Sequence, residues 1–456
     1  MSRNRYTLFF RSTRRVRHRF HTGEQLESRL LLSAVTVSTS ADSGIGSLRD
    51  AINQANADTA ISRIIIQPSV GQIAISETIE YTGHQALKIK GNGATLAPVA
   101  GQEQTFNLFA SSGDANLSID DLHLRDGLIG IYIPVSTSAT GTIEFEGKDL
   151  SVTGSSLFGL HIADQINNSD ASIRLILNRC TFTNNGIGDL DFDGVRVDEG
   201  GLGDISATIK NSTINGNGGD GLELDERGAG SVYVTVNRST FDDNGFFNEA
   251  DLDDGLDVDE ADEGGIYADV RNTSLSGNFD EGLDLDEAGE GDAQLTIRNV
   301  VANNNLNEGV KLDEEDDGSI WLDFRNLETN NIEDEEGIAV SEIGAGNLTA
   351  TLKNVTANRN NKEGIDLSEE DEGDFWGEFV RIETFGNNDD GIQLEETGPG
   401  NFDVSVARLL SGDNNGFGIK VSQATIGTDF GSLRIKNVTL LNNIAGDIDE
   451  DGVNLV

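Results

Sequence analysis

A repeat of about 27 residues runs through most of this chain and restricts its possible folds more than any other feature. Each unit contains a glycine followed by alternating apolar and acidic residues, as in "DGLELDE" at 220–226. Successive anchor glycines from Gly194 to Gly418 are 27 or 28 residues apart, except for one interval of 34 residues that holds an insertion near "GFFNEAD". A unit this short cannot bury its apolar face alone, so equivalent positions must stack on one another.

The apolar residues of each unit alternate with polar ones, and a period of two predicts β-strands. Asparagine recurs four residues before the glycine, as at Asn217 and Asn278, where it can hydrogen-bond to its copy in the next unit. Helical repeats are excluded because the units have no 3.6-residue period, and the L-x-x-L-x-L frame of leucine-rich repeats is absent. The sequence therefore predicts an all-β fold, a right-handed parallel β-helix solenoid with rungs of about 27 residues. The rungs, which read strand, "NN" and "G-[ILV]-x-[LV]", resemble those of the pectate-lyase-like superfamily.

The segment "GSLRDAINQANAD", residues 46–58, predicts a short helix that caps the N-terminal end of the coil. Ser47 and Asp50 can form a capping box. Four apolar residues share one helical face: Leu48, Ala51, Ile52 and Ala55. With the preceding strand, the segment resembles the SLR-x-AI module that opens the coil of secreted bacterial β-helix proteins and polymorphic outer-membrane proteins. "FTNN", "FDDN" and "FGNN" also match the F-x-x-N repeat of the second group, and the resemblance implies secretion or surface attachment.

The first 33 residues carry eight arginines, although the whole chain has a net charge of -47. They lack the continuous apolar run of a standard signal peptide. The stretch "QLESRLLLSA", residues 25–34, resembles the LEPR-xLL signature of bacterial exported and cell-surface proteins, with Ser28 in place of proline. That resemblance implies an extracellular or cell-surface location; the alternative is a disordered basic leader. No apolar run approaches the ~20 residues of a transmembrane helix, so we expect no membrane span.

We divide the chain into five parts. They are the basic leader (1–33), an opening strand and capping helix (34–58), irregular N-terminal rungs (59–171), regular acidic rungs (172–401) and C-terminal rungs (402–456). The acidic rungs would repel nucleic acid, so we expect no nucleic-acid partner, and they would attract cations. A single cysteine, Cys180, excludes an internal disulfide framework.

The acidic residues recur at fixed positions, so adjacent rungs would hold like charges ~4.8 Å apart. Each such pair costs on the order of 1 kcal/mol in water. Ca²⁺ bound between rungs would relieve this repulsion because it takes about six to eight oxygen ligands. We therefore predict Ca²⁺ as a cofactor; the alternative is a solvated acidic surface that keeps the coil soluble. "DLDFDG" and "DIDEDG" also have the D-x-D-x-DG opening of a calcium loop.

The predicted metal ligands are Asp189, Asp191, Asp193, Asp198, Asp225, Asp254, Asp259, Asp286, Asp313, Asp447, Asp449 and Asp451. A column of glutamates next to them, from Glu199 to Glu396, is assigned to the same acidic surface turns. We assign no catalytic residue, because the acids repeat with little interruption and a catalytic centre usually breaks a repeat. "RIK" at 434–436 matches a substrate-binding tripeptide of polygalacturonases, but their G-H-G motif is absent and His161 stands in "GLHIAD".

Four aromatic residues are predicted in one outward column of the first strand and are possible glycan contacts: Tyr233, Tyr267, Trp321 and Trp376. Such rings can stack on sugars, or they can simply cover the sheet beside a basic column. That basic column is Lys210, Arg271, Arg298, Arg325 and Lys353. The predicted function is a non-catalytic, exported, Ca²⁺-stabilised scaffold or adhesin with an extracellular glycan or cell-surface component as partner. The alternatives are a polysaccharide lyase or glycoside hydrolase of the pectate-lyase-like superfamily, and a plain carbohydrate-binding module.

Overall fold

The computed structural model describes residues 33–164, 168–187, 192–245, 253–424 and 431–456. Asp189, Asp191 and nearly all of the basic leader lie outside these residues. Within them the chain is an all-β parallel solenoid of about 14 turns with about 28 residues per turn, which confirms the predicted fold class.

The elements are, in chain order, β1 (Ser33–Val37), α1 (Leu48–Ala57), β2 (Ile61–Ile66), β3 (Gln72–Ile75), β4 (Ile79–Tyr81), β5 (Leu87–Pro98), β6 (Phe109–Ser111), β7 (Leu117–Arg125), β8 (Ile131–Pro134), β9 (Thr140–Lys148), β10 (Ser151–Thr153), β11 (Leu160–Ala163), β12 (Asp170–Asn178), β13 (Thr181–Thr183), β14 (Val195–Glu199), β15 (Ile205–Lys210), β16 (Thr213–Asn215), β17 (Leu222–Glu226), β18 (Val232–Asn237), β19 (Leu256–Asp262), β20 (Gly265–Ser274), β21 (Leu283–Gly289), β22 (Asp292–Val301), β23 (Val310–Asp316), β24 (Ile320–Glu328), β25 (Ile338–Gly344), β26 (Asn347–Thr356), β27 (Ile365–Asp371), β28 (Asp374–Phe385), β29 (Ile392–Glu396), β30 (Phe402–Ala407), β31 (Leu410–Gly412), β32 (Phe417–Gln423), β33 (Gly431–Lys436), β34 (Thr439–Leu441), β35 (Gly446–Asp451) and β36 (Val453–Leu455). Sheet B contains 14 of these strands: β4, β6, β8, β11, β14, β17, β19, β21, β23, β25, β27, β29, β32 and β35. The other 22 described strands form sheet A.

Each rung pairs in parallel register with the next, so identical positions stack into columns. In sheet A, Val232 pairs with Ile266 and Ile266 with Ala293. In sheet B, Leu222 pairs with Leu256. Strand alternation points these side chains inward, where all five are buried in one continuous core. Each fully buried aliphatic side chain contributes ~1.5–3 kcal/mol, so the stacked columns account for much of the stability of the coil.

Residues with a left-handed backbone conformation form a corner within four long strands of sheet A, β20, β22, β24 and β26. Asn272, Asn299, Asn326 and Asn354 have φ of 53°, 57°, 58° and 60° in four successive rungs. Asparagine tolerates this conformation better than most residues. Their side chains also stack, since Asn299 Nδ2 donates to Asn272 Oδ1 at 3.0 Å and Asn326 Nδ2 to Asn299 Oδ1 at 2.7 Å.

Helix α1 caps the N-terminal end of the coil, as predicted. Ser47 is the N-cap, and its hydroxyl accepts a hydrogen bond from the backbone N–H of Asp50 at 3.1 Å. The Asp50 carboxylate in turn accepts one from the N–H of Gly46 at 3.0 Å. The buried residues of the helix are Leu48, Ala51, Ile52 and Ala55.

The predicted asparagine ladder forms at the bend before sheet B. Asn217 Nδ2 donates to Asn244 Oδ1 at 3.0 Å, and Asn244 Nδ2 donates to Asn278 Oδ1 at 3.2 Å. These side chains are buried, so each amide depends on its copies for hydrogen bonds. The ladder is interrupted at one rung, where the backbone N–H of the buried Ile332 donates to Asn360 Oδ1 at 3.2 Å.

The glutamate column is inside the solenoid, which corrects its assignment to surface turns. It stacks in register across the strands of sheet B. Its members are Glu199, Glu226, Glu260, Glu287, Glu314, Glu342, Glu369 and Glu396, none more than 2% exposed. They lie five residues after the anchor glycine, an odd position whose side chain points inward like those one and three residues after it.

Candidate functional site

The outer face of sheet B carries carboxylates in two adjacent columns across β14, β17, β19, β21 and β23. Alternation turns the side chains two and four positions after each anchor glycine away from the core, although their neighbours cover several of them and Asp225 is fully buried. The first column holds Arg196, Glu223, Asp257, Asp284 and Lys311. The second holds Asp198, Asp225, Asp259, Asp286 and Asp313. We call these two columns the acidic face.

A third row of carboxylates lies at the turn into these strands, one residue before each anchor glycine. Asp193 accepts a hydrogen bond from the backbone N–H of Asp220 at 3.1 Å, and Asp254 accepts one from that of Glu281 at 2.7 Å. These bonds tie each turn to the next. They also hold the carboxylates beside the acidic face.

The carboxylates crowd most closely around Asp254. One oxygen from each of Asp254, Asp257 and Asp284 lies within 4.8 Å of the others, and the same is true of Asp254, Asp280 and Glu281. Burial, together with the neighbouring charges, raises the pKa of Asp254 and Asp257 well above the usual range and that of Asp284 to about 8. Crowded ionised carboxylates are costly unless a cation lies among them. The oxygen donors match the ligands that Ca²⁺ takes.

An arginine and a lysine neutralise the two ends of the acidic face. Arg196 Nε lies 2.7 Å from Asp198 Oδ1, its Nη2 lies 3.2 Å from Asp225 Oδ2, and it also pairs with Glu223. Lys311 Nζ lies 2.8 Å from Asp284 Oδ2. Between these two residues, in the part of the chain that the structure describes, no arginine or lysine forms an ion pair with Asp254 or Asp257. The centre of the acidic face therefore keeps an excess of negative charge.

The structure brings seven of the predicted metal ligands together at or beside the acidic face. They are Asp193, Asp198, Asp225, Asp254, Asp259, Asp286 and Asp313. Asp447, Asp449 and Asp451 are exposed on β35, where "DIDED" is an extended strand and not a loop. Glu223, Asp257 and Asp284 are not among the predicted ligands. The same alternation that turns Asp259 outward predicts them, but their column is less uniform because it also contains Arg196 and Lys311.

His161 extends the acidic face toward the N-terminus, and it too was missed as a site residue. Its Nε2 lies 2.7 Å from Asp198 Oδ2, and its ring packs against Phe158 and Tyr132 at centroid distances of 4.4 and 5.6 Å. Burial raises the pKa of Asp198, but the His161 hydrogen bond and the Arg196 charge outweigh it, so the net pKa is lowered. Burial and the Asp220 charge raise the pKa of Glu223 to about 8. An ionised and a protonatable carboxyl thus lie on either side of Arg196.

The four predicted aromatic residues share one outward column on sheet A. Tyr233 and Tyr267 pair across adjacent rungs, and their rings stack with centroids 5.1 Å apart and planes inclined by 11°. Gln294 separates Tyr267 from Trp321, and Thr349 separates Trp321 from Trp376. An open groove of about 280 Å³ lies beside the tyrosine pair. Tyr233, Trp321 and Trp376 are 44%, 40% and 42% exposed.

The basic column beside these rings is largely paired with acids. Arg271 Nε lies 2.5 Å from Asp269, Arg298 Nη2 lies 2.6 Å from Asp323, and Lys353 Nζ lies 3.2 Å from Glu378. Such exposed pairs contribute little to stability. Their effect is to leave the aromatic column in a nearly neutral strip of an otherwise acidic protein.

Residues 165–342, less than half of the chain, match the family described as a right handed beta helix region. The match agrees with the parallel β-solenoid that the described residues of this range form. No curated protein matches the sequence. None of the described helices has the length and apolarity needed to cross a membrane.

Three solved structures illustrate what the chain resembles. The A-module of a mannuronan C-5 epimerase from Azotobacter vinelandii is 12% identical, with a TM-score of 0.32 over 90% of this chain and 94% of that one. A periplasmic alginate epimerase is 10% identical, with a TM-score of 0.34 over 82% and 78%. The catalytic domain of an α-1,3-glucanase is 12% identical, with a TM-score of 0.33 over 90% and 66%. Likeness at this level carries no argument about fold or activity.

Proposed function

We propose that the protein is a non-catalytic scaffold that binds a glycan along the outer face of sheet A. The aromatic column of Tyr233, Tyr267, Trp321 and Trp376 carries the proposal, because these large rings remain partly exposed although the interior has room for aromatic residues such as Phe324 and Phe375. Aromatic rings present flat apolar faces on which sugar rings stack. A row of such faces along one axis suits an extended polysaccharide.

The spacing of the rings supports an extended ligand. Tyr267, Trp321 and Trp376 each lie two rungs apart, which is ~10 Å when rungs are ~4.8 Å apart. That distance is close to the length of two sugar rings in an extended chain. A glycan parallel to the solenoid axis could therefore place every second ring on an aromatic side chain.

The charges around the column favour a neutral glycan. The cations beside it are paired with Asp269, Asp323 and Glu378. The net charge of -47 would repel a polyuronate.

The experiment is affinity electrophoresis of the wild type and of Trp321→Ala and Trp376→Ala in gels containing neutral β-linked polysaccharides, with alginate as the acidic comparison. Each lost stack is worth ~1 kcal/mol, so each variant should bind roughly fivefold more weakly. Phe279→Ala is the matched control, because Phe279 is 38% exposed but lies outside the column. Absence of binding by the wild type to every polysaccharide, or equal loss in the Phe279 control, would refute the proposal.

A second candidate function is polysaccharide cleavage at His161. It is favoured by the pairing of His161 with the ionised Asp198 next to Arg196 and the raised pKa of Glu223, since a protonated and an ionised carboxyl can act as general acid and base. The same polysaccharides would be assayed for new reducing ends and for unsaturated products. Activity of the wild type that is lost in His161→Ala and in Glu223→Gln would establish that the protein is an enzyme and would refute a non-catalytic scaffold.

We also propose that the protein is exported and that its acidic face binds Ca²⁺. The basic leader with its LEPR-xLL-like stretch supports export, and the crowding of Asp254, Asp257 and Asp284 supports a cation among them. Ca²⁺ should raise the melting temperature of the wild type more than Mg²⁺ or equal ionic strength of NaCl. Part of this gain should vanish in Asp257→Asn/Asp284→Asn but persist in Asp449→Asn, a change on exposed β35. A melting temperature insensitive to chelator would contradict Ca²⁺ binding.

A further inference from the structure

The interior glutamate column contains oxygens that no N–H or hydroxyl group of the described chain satisfies. In its central five members, neither carboxylate oxygen has a possible donor among the described residues besides the carboxyl of an adjacent glutamate. These members are Glu260, Glu287, Glu314, Glu342 and Glu369, each at most 2% exposed. Buried polar atoms are almost always paired, so five consecutive exceptions indicate a missing partner.

The ends of the column differ from its centre. Glu199 Oε2 accepts a hydrogen bond from the backbone N–H of Gly201 at 3.0 Å, and Glu396 Oε1 accepts one from that of Gly398 at 3.0 Å. Beyond Glu396 the column position is occupied by Gln423, whose Nε2 donates to the carbonyl oxygen of Gly400 at 2.9 Å. The glycine carbonyl of the preceding rung therefore faces the column and accepts there.

In the central rungs the same carbonyl meets a carboxylate oxygen instead of an amide N–H. A Cβ placed on Gly318 would lie 1.6 Å from the carbonyl oxygen of Gly291 and 2.2 Å from Glu314 Oε1. The corresponding Cβ on Gly264 would lie 1.8 Å from Gly230 O and 2.2 Å from Glu260 Oε1. Two acceptors thus share one small space in each rung, and only a proton or a cation can lie between them.

The repeated choice of glutamate favours a cation. An amide column satisfies a buried stack by itself, as the asparagine ladder and Gln423 do in this protein. A carboxylate at eight successive rungs is needed only if its charge is used. We propose that the centre of the glutamate column binds Ca²⁺ ions inside the solenoid, about one for every two adjacent carboxylates, so that the charges of ions and carboxylates nearly balance.

The geometry of the stack suits Ca²⁺ better than Mg²⁺. Equivalent oxygens of adjacent rungs are ~4.8 Å apart, so an ion midway lies ~2.4 Å from each, within the range of Ca²⁺–oxygen bonds and longer than the ~2.0–2.1 Å that Mg²⁺ requires. Two carboxylates and the glycine carbonyls of their rungs together offer about six oxygens, which is enough for Ca²⁺. This row is separate from the acidic face, which is on the other side of the same strands.

The test uses burial to distinguish the two sets of ions. The full chain would be folded with Ca²⁺, passed through EDTA and a desalting column, and its retained Ca²⁺ measured by mass spectrometry. Ions of the acidic face should exchange quickly, whereas the interior ions should remain. The five central glutamates carry five negative charges and form two separate adjacent pairs, so we expect about two retained Ca²⁺ ions per chain.

Substitutions within the column give graded expectations. Glu287→Gln/Glu342→Gln leaves no two adjacent carboxylates among the central five and should retain no ion. Glu314→Gln leaves one intact pair on either side of it and should retain about two ions. Gln423 shows that glutamine fits the column. Asp313→Asn, one residue away on the outer face, should also leave about two.

Two results would overturn the proposal. One is a folded wild type that retains no Ca²⁺ and shows the infrared band of protonated carboxylic acids, lost in proportion as glutamates are replaced; the column would then be held by protons. The other is an equal loss of ions in Asp313→Asn and in Glu287→Gln/Glu342→Gln. Neither result depends on glycan binding, so the proposed function stands or fails separately.

Discussion

Replacing Asn278 with alanine should strongly destabilise the solenoid, because this side chain joins three rungs. Its Oδ1 accepts hydrogen bonds from the backbone N–H and the Nδ2 of Asn244, at 3.1 and 3.2 Å, and its Nδ2 donates to Asn305 Oδ1 at 3.3 Å. Alanine would leave the Asn244 backbone N–H without an acceptor in a buried site, and the Asn244 Nδ2 group would keep only its bond to the Ile214 carbonyl oxygen at 3.3 Å. Each unsatisfied N–H costs ~1–3 kcal/mol. The free energy of unfolding should therefore fall by about 2–6 kcal/mol.

The assay is urea denaturation followed by circular dichroism, with the unfolding midpoint compared at constant m. The matched control is Asn237→Ala at the exposed corner of sheet A, where Asn237 Oδ1 accepts one bond from Asn272 Nδ2 at 2.9 Å. Its loss should cost less than ~1 kcal/mol. If Asn278→Ala is no less stable than the control, the ladder does not hold the bend, and the reasoning from buried donors is wrong.

Two further predictions concern the glutamate column and the turn that follows it. Gly318→Ala should destabilise the protein by at least ~1–3 kcal/mol in the same urea assay, because its Cβ would lie 1.6 Å from Gly291 O; Asp317→Ala, at an exposed neighbour, should change stability by less than ~0.5 kcal/mol. In protein folded without Ca²⁺, so that the interior column holds no ion, the melting temperature should fall as the pH rises from ~5 to ~8, because burial raises the folded-state pKa of Glu287 and Glu314 to about 8, above the unfolded value of ~4.3. Stability present at low pH is then lost as the pH rises through the folded pKa values, and a constant or rising melting temperature would contradict this.

The fold could be predicted because each rung of a solenoid repeats the same residue pattern. The spacing of the anchor glycines set the length of the rung, and the alternation after Gly221 or Gly255 identified inward columns that the structure buries. The same alternation correctly placed Tyr233 and Trp321 in one outward column. The corner within sheet A could not be predicted in this way, because it depends on the left-handed backbone of residues such as Asn272, which the apolar pattern does not indicate.

The glutamate column was misplaced for a physical reason. Glu260 lies five residues after its anchor glycine, and β19 continues through it to Asp262, so strand alternation points its side chain inward. The usual rule that carboxylates stay exposed unless paired predicts the opposite orientation, and here the strand geometry decides. The acidic face was found only in part because Asp257 and Asp284 share a column with Arg196 and Lys311.

In-register stacking explains why the outer carboxylates are partly neutralised by side-chain cations, whereas the interior glutamates need a small ion. A solenoid converts each residue choice into a column, so repulsion accumulates along the axis at ~4.8 Å intervals and cannot be diluted by unrelated neighbours. On the outer face, Arg196 and Lys311 interrupt the column and neutralise its ends. Inside, among the described residues, no arginine or lysine forms an ion pair with the central glutamates, and an arginine would not fit where Gly264 and Gly291 must pass so close to the preceding rung. A small ion taken up as the rungs stack is the counter-charge that such a column can accommodate, and folding and ion uptake should then be one event.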